Sequence, residues 1–98
     1  MEKNVGLLAR LVAKPGKENA VADLLKGAIS LANAERDTVT WYAFQLDNKT
    51  FGIFDTFPHE AGRQAHLSGP IAAALMAHAD ELLSEAPDIK MATVLASK

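Results

Sequence analysis

The N-terminal third of the chain contains one short apolar run and one longer amphipathic run. Asn4 to Ala13 is mostly apolar, and Lys14-Pro15-Gly16-Lys17 closes it, so we predict a largely buried strand followed by a turn. From Glu18 to about Ala34 the apolar residues recur at intervals of three and four, which predicts an amphipathic helix. Its apolar positions are Val21, Leu24, Leu25, Ala28, Leu31 and Ala32.

The middle of the chain has the pattern of a β-hairpin. Thr38 to Leu46 is rich in β-branched and aromatic residues, Asp47-Asn48-Lys49 supplies turn residues, and Thr50 to Phe57 returns as a second strand. Side chains alternate between the two faces of a strand. One face of the second strand therefore carries Phe51, Ile53, Asp55 and Phe57.

The C-terminal third predicts a broken helix and a last strand. His59 to Leu67 predicts a short helix that Ser68-Gly69 ends, and Pro70 suits the first turn of another helix, which runs to about Glu85. Asp88 to Ala96 is the last predicted strand. The order strand, helix, strand, strand, broken helix, strand predicts an α+β fold, a ferredoxin-like βαββαβ unit. Its four-stranded antiparallel sheet would carry the helices on one face.

The opposite face of this predicted sheet also bears apolar side chains from each strand. A bare apolar sheet face is an association site, and two such faces packed together would bury these residues. We therefore predict a homodimer.

Composition narrows the class of protein. At 98 residues the chain has the length of a single domain, residues 1–98, and its apolar content of 49% predicts a folded globule. The chain has no cysteine, which excludes thiol catalysis and thiolate metal sites. The net charge of −2 without a basic block gives no indication of nucleic-acid or membrane binding. No apolar run reaches the length of a signal peptide or membrane span, so we expect a cytoplasmic protein.

The candidate chemistry lies where the hairpin meets the short helix. His66 is a candidate acid or base, because a neutral imidazole is poised for proton transfer near neutral pH; its alternative role is a structural hydrogen bond. Asp55 could orient His66 or bind a substrate hydroxyl, and alternatively could pair with Arg10 or Lys90 or lie at a dimer interface. The three histidines lack tight ligand spacing, so we predict no metal site.

Three segments together resemble the antibiotic biosynthesis monooxygenase family. They are the strand and turn Ala9-Arg10-Leu11-Val12-Ala13-Lys14-Pro15-Gly16, the strand end Phe54-Asp55-Thr56-Phe57, and the helix end Ala65-His66-Leu67-Ser68-Gly69-Pro70. The resemblance runs from about Val5 to Leu95 and implies the dimeric α/β barrel fold. Members typically have Glu where Asp55 stands, and many have Trp where Phe57 stands.

This resemblance implies a cofactor-independent monooxygenase that acts on a small aromatic or quinol-like compound with dioxygen. Haem-degrading relatives carry Asn, Trp and an iron-ligating His where this chain has Ala9, His66 and Met76, so we expect no cofactor. In this hypothesis His66 is the catalytic base and Asp55 its catalytic partner. The substrate-binding residues would be Phe57, Trp41, Ile53, Leu75 and Met76.

Two other functions remain open from the sequence. An isomerase of a small carbonyl metabolite could use the same His66 without dioxygen. A non-catalytic module that binds a small molecule is the other alternative, because the predicted pocket has few polar groups and catalysis usually needs several.

Overall fold

The computed structural model describes residues 4–98, which form one sheet and four helices. The strands lie in the order β2-β3-β1-β4, and every neighbouring pair is antiparallel. This is the predicted ferredoxin-like α+β arrangement. The strands are β1 Val5–Val12, β2 Thr40–Gln45, β3 Thr50–Phe57 and β4 Asp88–Thr93. The helices are α1 Glu18–Gly27, α2 Ile29–Ala34, α3 Glu60–Leu67 and α4 Pro70–Leu82.

The core lies between one face of the sheet and the helices. Alternate residues of the central strands, such as Leu11 and Phe51, are buried against apolar residues of the helices, such as Val21 and Leu82. Strand β3 is buried along nearly its whole length because it lies between two strands and beneath the helices. A side chain on the helix-facing side of β3 is therefore placed rigidly and away from bulk water.

The helix predicted from Glu18 to Ala34 is divided at Ala28. The backbone there tightens to φ −70° and ψ −13°, and the Ala28 N–H is shared between the carbonyls of Leu24 and Leu25. Such sharing is common where one helical segment ends. The other predicted boundaries move by a few residues: β2 begins at Thr40, α4 ends at Leu82, and β4 ends at Thr93.

One side chain caps helix α3 and another attaches the helix to the sheet. His59 is its N-cap, and its Nδ1 accepts the backbone N–H of Gly62 at 3.0 Å. The Arg63 side chain is largely buried and donates from Nη1 to the carbonyl oxygens of Gly6 at 3.0 Å and Ala92 at 3.4 Å. Arg63 thus ties α3 to β1 and to the segment of β4 beside it. His66 lies one turn further along the same helix.

Among the residues that the structure describes, no helix covers the other face of the sheet. Leu8 on β1, Phe54 on β3 and Tyr42 on β2 lie next to one another across this face, and Leu8 and Tyr42 are 40% and 61% exposed. Within residues 4–98, no helix is both long enough and apolar enough to cross a bilayer.

Candidate active site

His66 lies between two carboxylates, one on each side of its ring. The strand residue Asp55 approaches from β3, with Oδ2 2.9 Å from His66 Nε2. Glu35 approaches from the loop between α2 and β2, with Oε1 2.6 Å from Nδ1. His66 is 9% exposed and Asp55 is 1% exposed, so these contacts are shielded from water. The sequence predicted the meeting of Asp55 and His66 but not the contribution of Glu35.

The two contacts differ in geometry. The contact between Nδ1 and Glu35 is a hydrogen bond, whereas the contact between Nε2 and Asp55 is a close ion pair without hydrogen-bond alignment. Within residues 4–98, neither carboxylate oxygen of Asp55 has a hydrogen-bond donor. Arg10 pairs with Glu85 and Lys90 with Asp88, so neither of the cross-strand partners considered for Asp55 contacts it.

The surroundings change the basicity of His66. Burial lowers the pKa of His66 because it disfavours the charged ring, but the close polar contacts and the negative charge of Asp55 and Glu35 outweigh it. Together these effects raise the pKa of His66 from 6.5 to about 8. The imidazolium form therefore predominates at neutral pH, and the neutral ring is a stronger base than an ordinary histidine.

Local packing holds Glu35 in place. Thr38 Oγ1 donates a hydrogen bond of 2.6 Å to Oε1 of Glu35, the same oxygen that contacts His66. The loop that carries both residues lies close against α3: a Cβ on Gly62 would be 2.9 Å from Asp37 Cβ. This distance is too short for two carbon atoms without displacement, so the absence of a side chain at Gly62 allows the loop to reach His66.

Asp55 and His66 lie on the wall of an otherwise apolar cavity of about 250 Å³. Of the predicted substrate-binding residues, Ile53, Leu75 and Met76 line this cavity. Its other apolar lining comes from Leu7, Ala9, Leu67, Ile71, Ala72, Pro87 and Ile89. Met76 is exposed as well as lining, which places it at the mouth.

Phe57 and Trp41 lie outside the cavity lining. Phe57 is fully buried, and its ring centroid lies 5.2 Å from that of His66 at an angle of 47°, so it supports the imidazole. Trp41 lies opposite Asp55 on β2 and packs against the core cluster. The register places Trp41 on the same face of the sheet as Asp55, but the face alone does not determine which side chains border the cavity.

A second cleft of about 180 Å³ lies on the other side of His66. Glu35, Asp37 and Thr38 line it, together with Gly62 and Gly69. Since Asp55 borders the main cavity and Glu35 the cleft, Nε2 of His66 is on the cavity side and Nδ1 is on the cleft side.

The same arrangement bears on metal binding. Asp55 and Glu35 contact opposite nitrogens of the imidazole, so the three side chains cannot converge on one ion. Among residues 4–98 no group of three His, Asp or Glu side chains is placed to hold a metal.

Comparison with known proteins identifies a near relative among solved structures. The crystal structure of NE2512, a protein of unknown function from Nitrosomonas europaea, matches with a TM-score of 0.96 and 54% sequence identity. The match covers 98% of this chain and 93% of that chain. No family model and no curated protein matches the chain.

More distant structures share the fold. A provisionally named antibiotic biosynthesis monooxygenase from Nitrosomonas europaea matches with a TM-score of 0.84 at 12% identity, over 94% of this chain and 99% of that chain. Another protein described as an antibiotic biosynthesis monooxygenase matches with a TM-score of 0.80 at 14% identity, again over 94% and 99% of the two chains. The chain therefore belongs to the same family as the NE2512 protein of Nitrosomonas europaea, and its fold is that of the antibiotic biosynthesis monooxygenases.

Proposed function

We propose that this protein is a cofactor-independent monooxygenase that acts on a small aromatic or quinol-like compound. One observation carries the proposal: among residues 4–98, the only polar side chains on the wall of the apolar main cavity are a histidine and the carboxylate beside it. The names of the distant structural neighbours support the reaction class. The histidine and carboxylate support the first step, which is removal of a proton from the substrate.

Nε2 of His66 is the proton acceptor in this proposal. The neutral ring takes the proton of a phenol or enol, and the resulting imidazolium is stabilised by Asp55 at 2.9 Å. A pKa of about 8 brings the base closer to the pKa of a phenol than an ordinary histidine would be. The transfer also stabilises Asp55, because its buried carboxylate oxygens, which otherwise lack a hydrogen-bond donor among the described residues, then lie beside a proton on Nε2.

The substrate anion then reacts with dioxygen directly. Dioxygen adds to the electron-rich carbon of the anion, and the peroxide takes back the proton from Nε2. Loss of water breaks the O–O bond and the C–H bond and leaves a carbonyl. One oxygen atom stays in the product and the other leaves as water, and the substrate supplies all the electrons.

The cavity suits a small, uncharged ring. Its volume of about 250 Å³ lies just below the ~300–1,000 Å³ typical of sites for drug-sized ligands. Apolar residues on its walls, such as Leu75 and Ile53, exclude water, so a bound ligand can form side-chain hydrogen bonds only with Asp55 and His66 among the described lining residues. Two carboxylates and one imidazolium leave the site with a net negative charge, which disfavours anionic ligands.

Oxygen uptake tests the proposal. The purified protein, treated with a chelator, is incubated with a panel of quinols and hydroxylated aromatics, and oxygen consumption and products are followed together. We expect protein-dependent uptake with at least one compound and a product that contains one added oxygen atom. Absence of uptake across the panel, with ligands still raising the thermal unfolding temperature, would overturn the oxygenase.

The second candidate function is an isomerase of a small carbonyl metabolite. The same proton transfer to Nε2 of His66 favours it, because an enolate needs only to be reprotonated at another carbon. Conversion of a carbonyl substrate to its isomer without oxygen consumption would identify this function. A bound ligand that is recovered unchanged would instead indicate a binding module.

We also propose that two copies associate through the uncovered sheet face. Light scattering during gel filtration should give twice the mass of the chain. Leu8→Glu places a charge among Tyr42 and Phe54, and we expect it to weaken dimerisation at least about tenfold, or ~1.4 kcal/mol. Ile29→Glu is the matched control, because Ile29 is 44% exposed on α2, similar to Leu8 at 40%. A monomeric wild-type protein, or a Leu8→Glu variant that dimerises as tightly as the wild type, would contradict this interface.

A further inference from the structure

Glu35 has a different relation to His66 from that of Asp55. Its contact with Nδ1 is the shorter of the two, 2.6 Å against 2.9 Å, and it alone has hydrogen-bond alignment. A neutral imidazole has a single N–H, and the hydrogen bond at one nitrogen decides which nitrogen carries it. When His66 loses a proton, the one held in the better hydrogen bond remains.

We propose that Glu35 is a positioning residue that keeps a proton on Nδ1 of His66, so that Nε2 is the nitrogen that exchanges protons in the main cavity. The role in turnover rests on the function proposed above, whereas the position of the proton is a property of the protein without substrate. An acid that orients a catalytic histidine through Nδ1 recurs in unrelated hydrolytic enzymes. Here the orienting acid comes from a loop outside the cavity.

The loop is built to hold this carboxylate still. Thr38 donates to the oxygen of Glu35 that contacts His66, and the close approach at Gly62 seats the loop against α3. The other oxygen, Oε2, is buried without a hydrogen-bond partner among the described residues and lies near Gly69. His66 is therefore the main group that can balance the negative charge of Glu35. A hydrogen bond to a charged acceptor is stronger than a neutral one, so the bond at Nδ1 is strong.

The charged groups around His66 come from three elements. Asp55 approaches from β3, and Glu35 approaches from the loop after α2, where Arg36 and Asp37 also border the second cleft. On α3 itself, Arg63 is bound to Glu60 and to backbone carbonyls. Helix α4 contributes only apolar residues to the cavity wall beside His66. Glu35 and Asp55 are therefore the two charges that compete for the histidine proton.

Nuclear magnetic resonance of the histidine nitrogens tests the proposal without substrate. In the wild-type protein above the titration of His66, the nitrogen shifts should place the proton on Nδ1. Glu35→Gln keeps the size of the side chain but removes its charge. We expect it to move the His66 titration down by about one pH unit or more, since an opposite charge at this range shifts a pKa by about 1–3 units.

Glu35→Gln should also move the neutral tautomer toward Nε2–H, because Asp55 becomes the only charged acceptor. Glu35→Asp retains a carboxylate and should give a titration between those of the wild type and Glu35→Gln. The matched control is Glu81→Gln, which removes the exposed carboxylate 3.9 Å from Nδ1 of His78. It should leave the titration and the tautomer of His66 unchanged, because Glu81 is exposed and contacts His78 rather than His66.

Two outcomes would overturn the inference: a wild-type tautomer with the proton on Nε2, or a Glu35→Gln variant with unchanged titration and tautomer. Failure of the proposed function has a different signature, because the tautomer result stands whether or not a substrate is found. Where turnover is measured, Glu35→Gln should lower kcat/KM at pH values above about 8, where His66 is largely neutral in both proteins. The reason is that Nε2 then carries the remaining proton and cannot accept one from the substrate. Glu35→Asp should restore part of this loss.

Discussion

Replacement of His66 by glutamine is expected to lower kcat/KM by about 100-fold or more, because a positioned general base typically contributes about 10²–10⁴-fold. Glutamine retains a polar side chain of similar reach but cannot take up a proton. The measurement is the initial rate of oxygen uptake, or of isomer formation, with the best compound of the panel. In the wild-type protein, kcat/KM should also rise with pH toward about 8, as the imidazolium of His66 loses its proton.

The matched control for this prediction is His78→Gln. His78 lies on the exposed side of α4 and outside both cavities, so the same substitution there should leave the rate within about twofold of the wild type. Circular dichroism and thermal unfolding establish that each variant is folded. If folded His66→Gln turned over substrate at the wild-type rate, His66 could not be the base.

The fold could be predicted from the sequence because each element has a clear local pattern. The hairpin follows from β-branched and aromatic residues around Asp47, and Pro70 begins α4 as expected of a proline in a first turn. The division of the first helix at Ala28 was missed, because the apolar spacing continues across it. A tightened turn changes the backbone without changing which residues face the core.

The candidate site could be predicted only in part. Asp55 and His66 meet because a strand and the helix after it share one junction, which the order of elements already implies. Glu35 was missed because it lies in a loop, 31 residues from His66, where no periodicity marks a position. The sequence does contain one indication of this contact: Glu35 is an acidic residue in the α2–β2 loop, and the fold brings that loop beside α3. Trp41 and Phe57 were predicted to bind substrate, but neither lines the cavity. The alternation of residues along a strand shows which face a side chain is on, but it does not show the shape of the cavity.

The same three side chains link the chemistry of the site to the stability of the fold. His66 is on α3, Asp55 is on β3, and Glu35 is on the loop after α2, so the two contacts of the imidazole join three elements. The carboxylates stabilise the protonated ring, which makes His66 a stronger base. The folded protein therefore binds this proton more tightly than the unfolded chain does, so protonation of His66 stabilises the fold. The buried Asp55 and the partly buried Glu35 thus have one effect on catalysis and another on unfolding.

The free energy of unfolding should consequently fall by about 2 kcal/mol as the pH rises from about 6 to about 9, since each unit of pKa difference is worth ~1.4 kcal/mol. His66 has a pKa of about 8 in the folded protein against 6.5 as the reference for the unfolded chain. The folded protein therefore binds the proton more tightly. The stabilisation is fully present below 6.5 and is lost as the pH rises through about 8.

Urea unfolding at fixed protein concentration measures this dependence, and the variants separate His66 from the other histidines. His66→Gln should remove most of the slope between these pH values, whereas His78→Gln should retain it, because His78 is exposed and its carboxylate neighbour lies 3.9 Å away. A wild-type stability that is flat or rises over this interval would mean that the two carboxylates do not hold a proton on His66. The same result would remove the physical basis for its role as a strengthened base, since both consequences come from one difference in proton affinity.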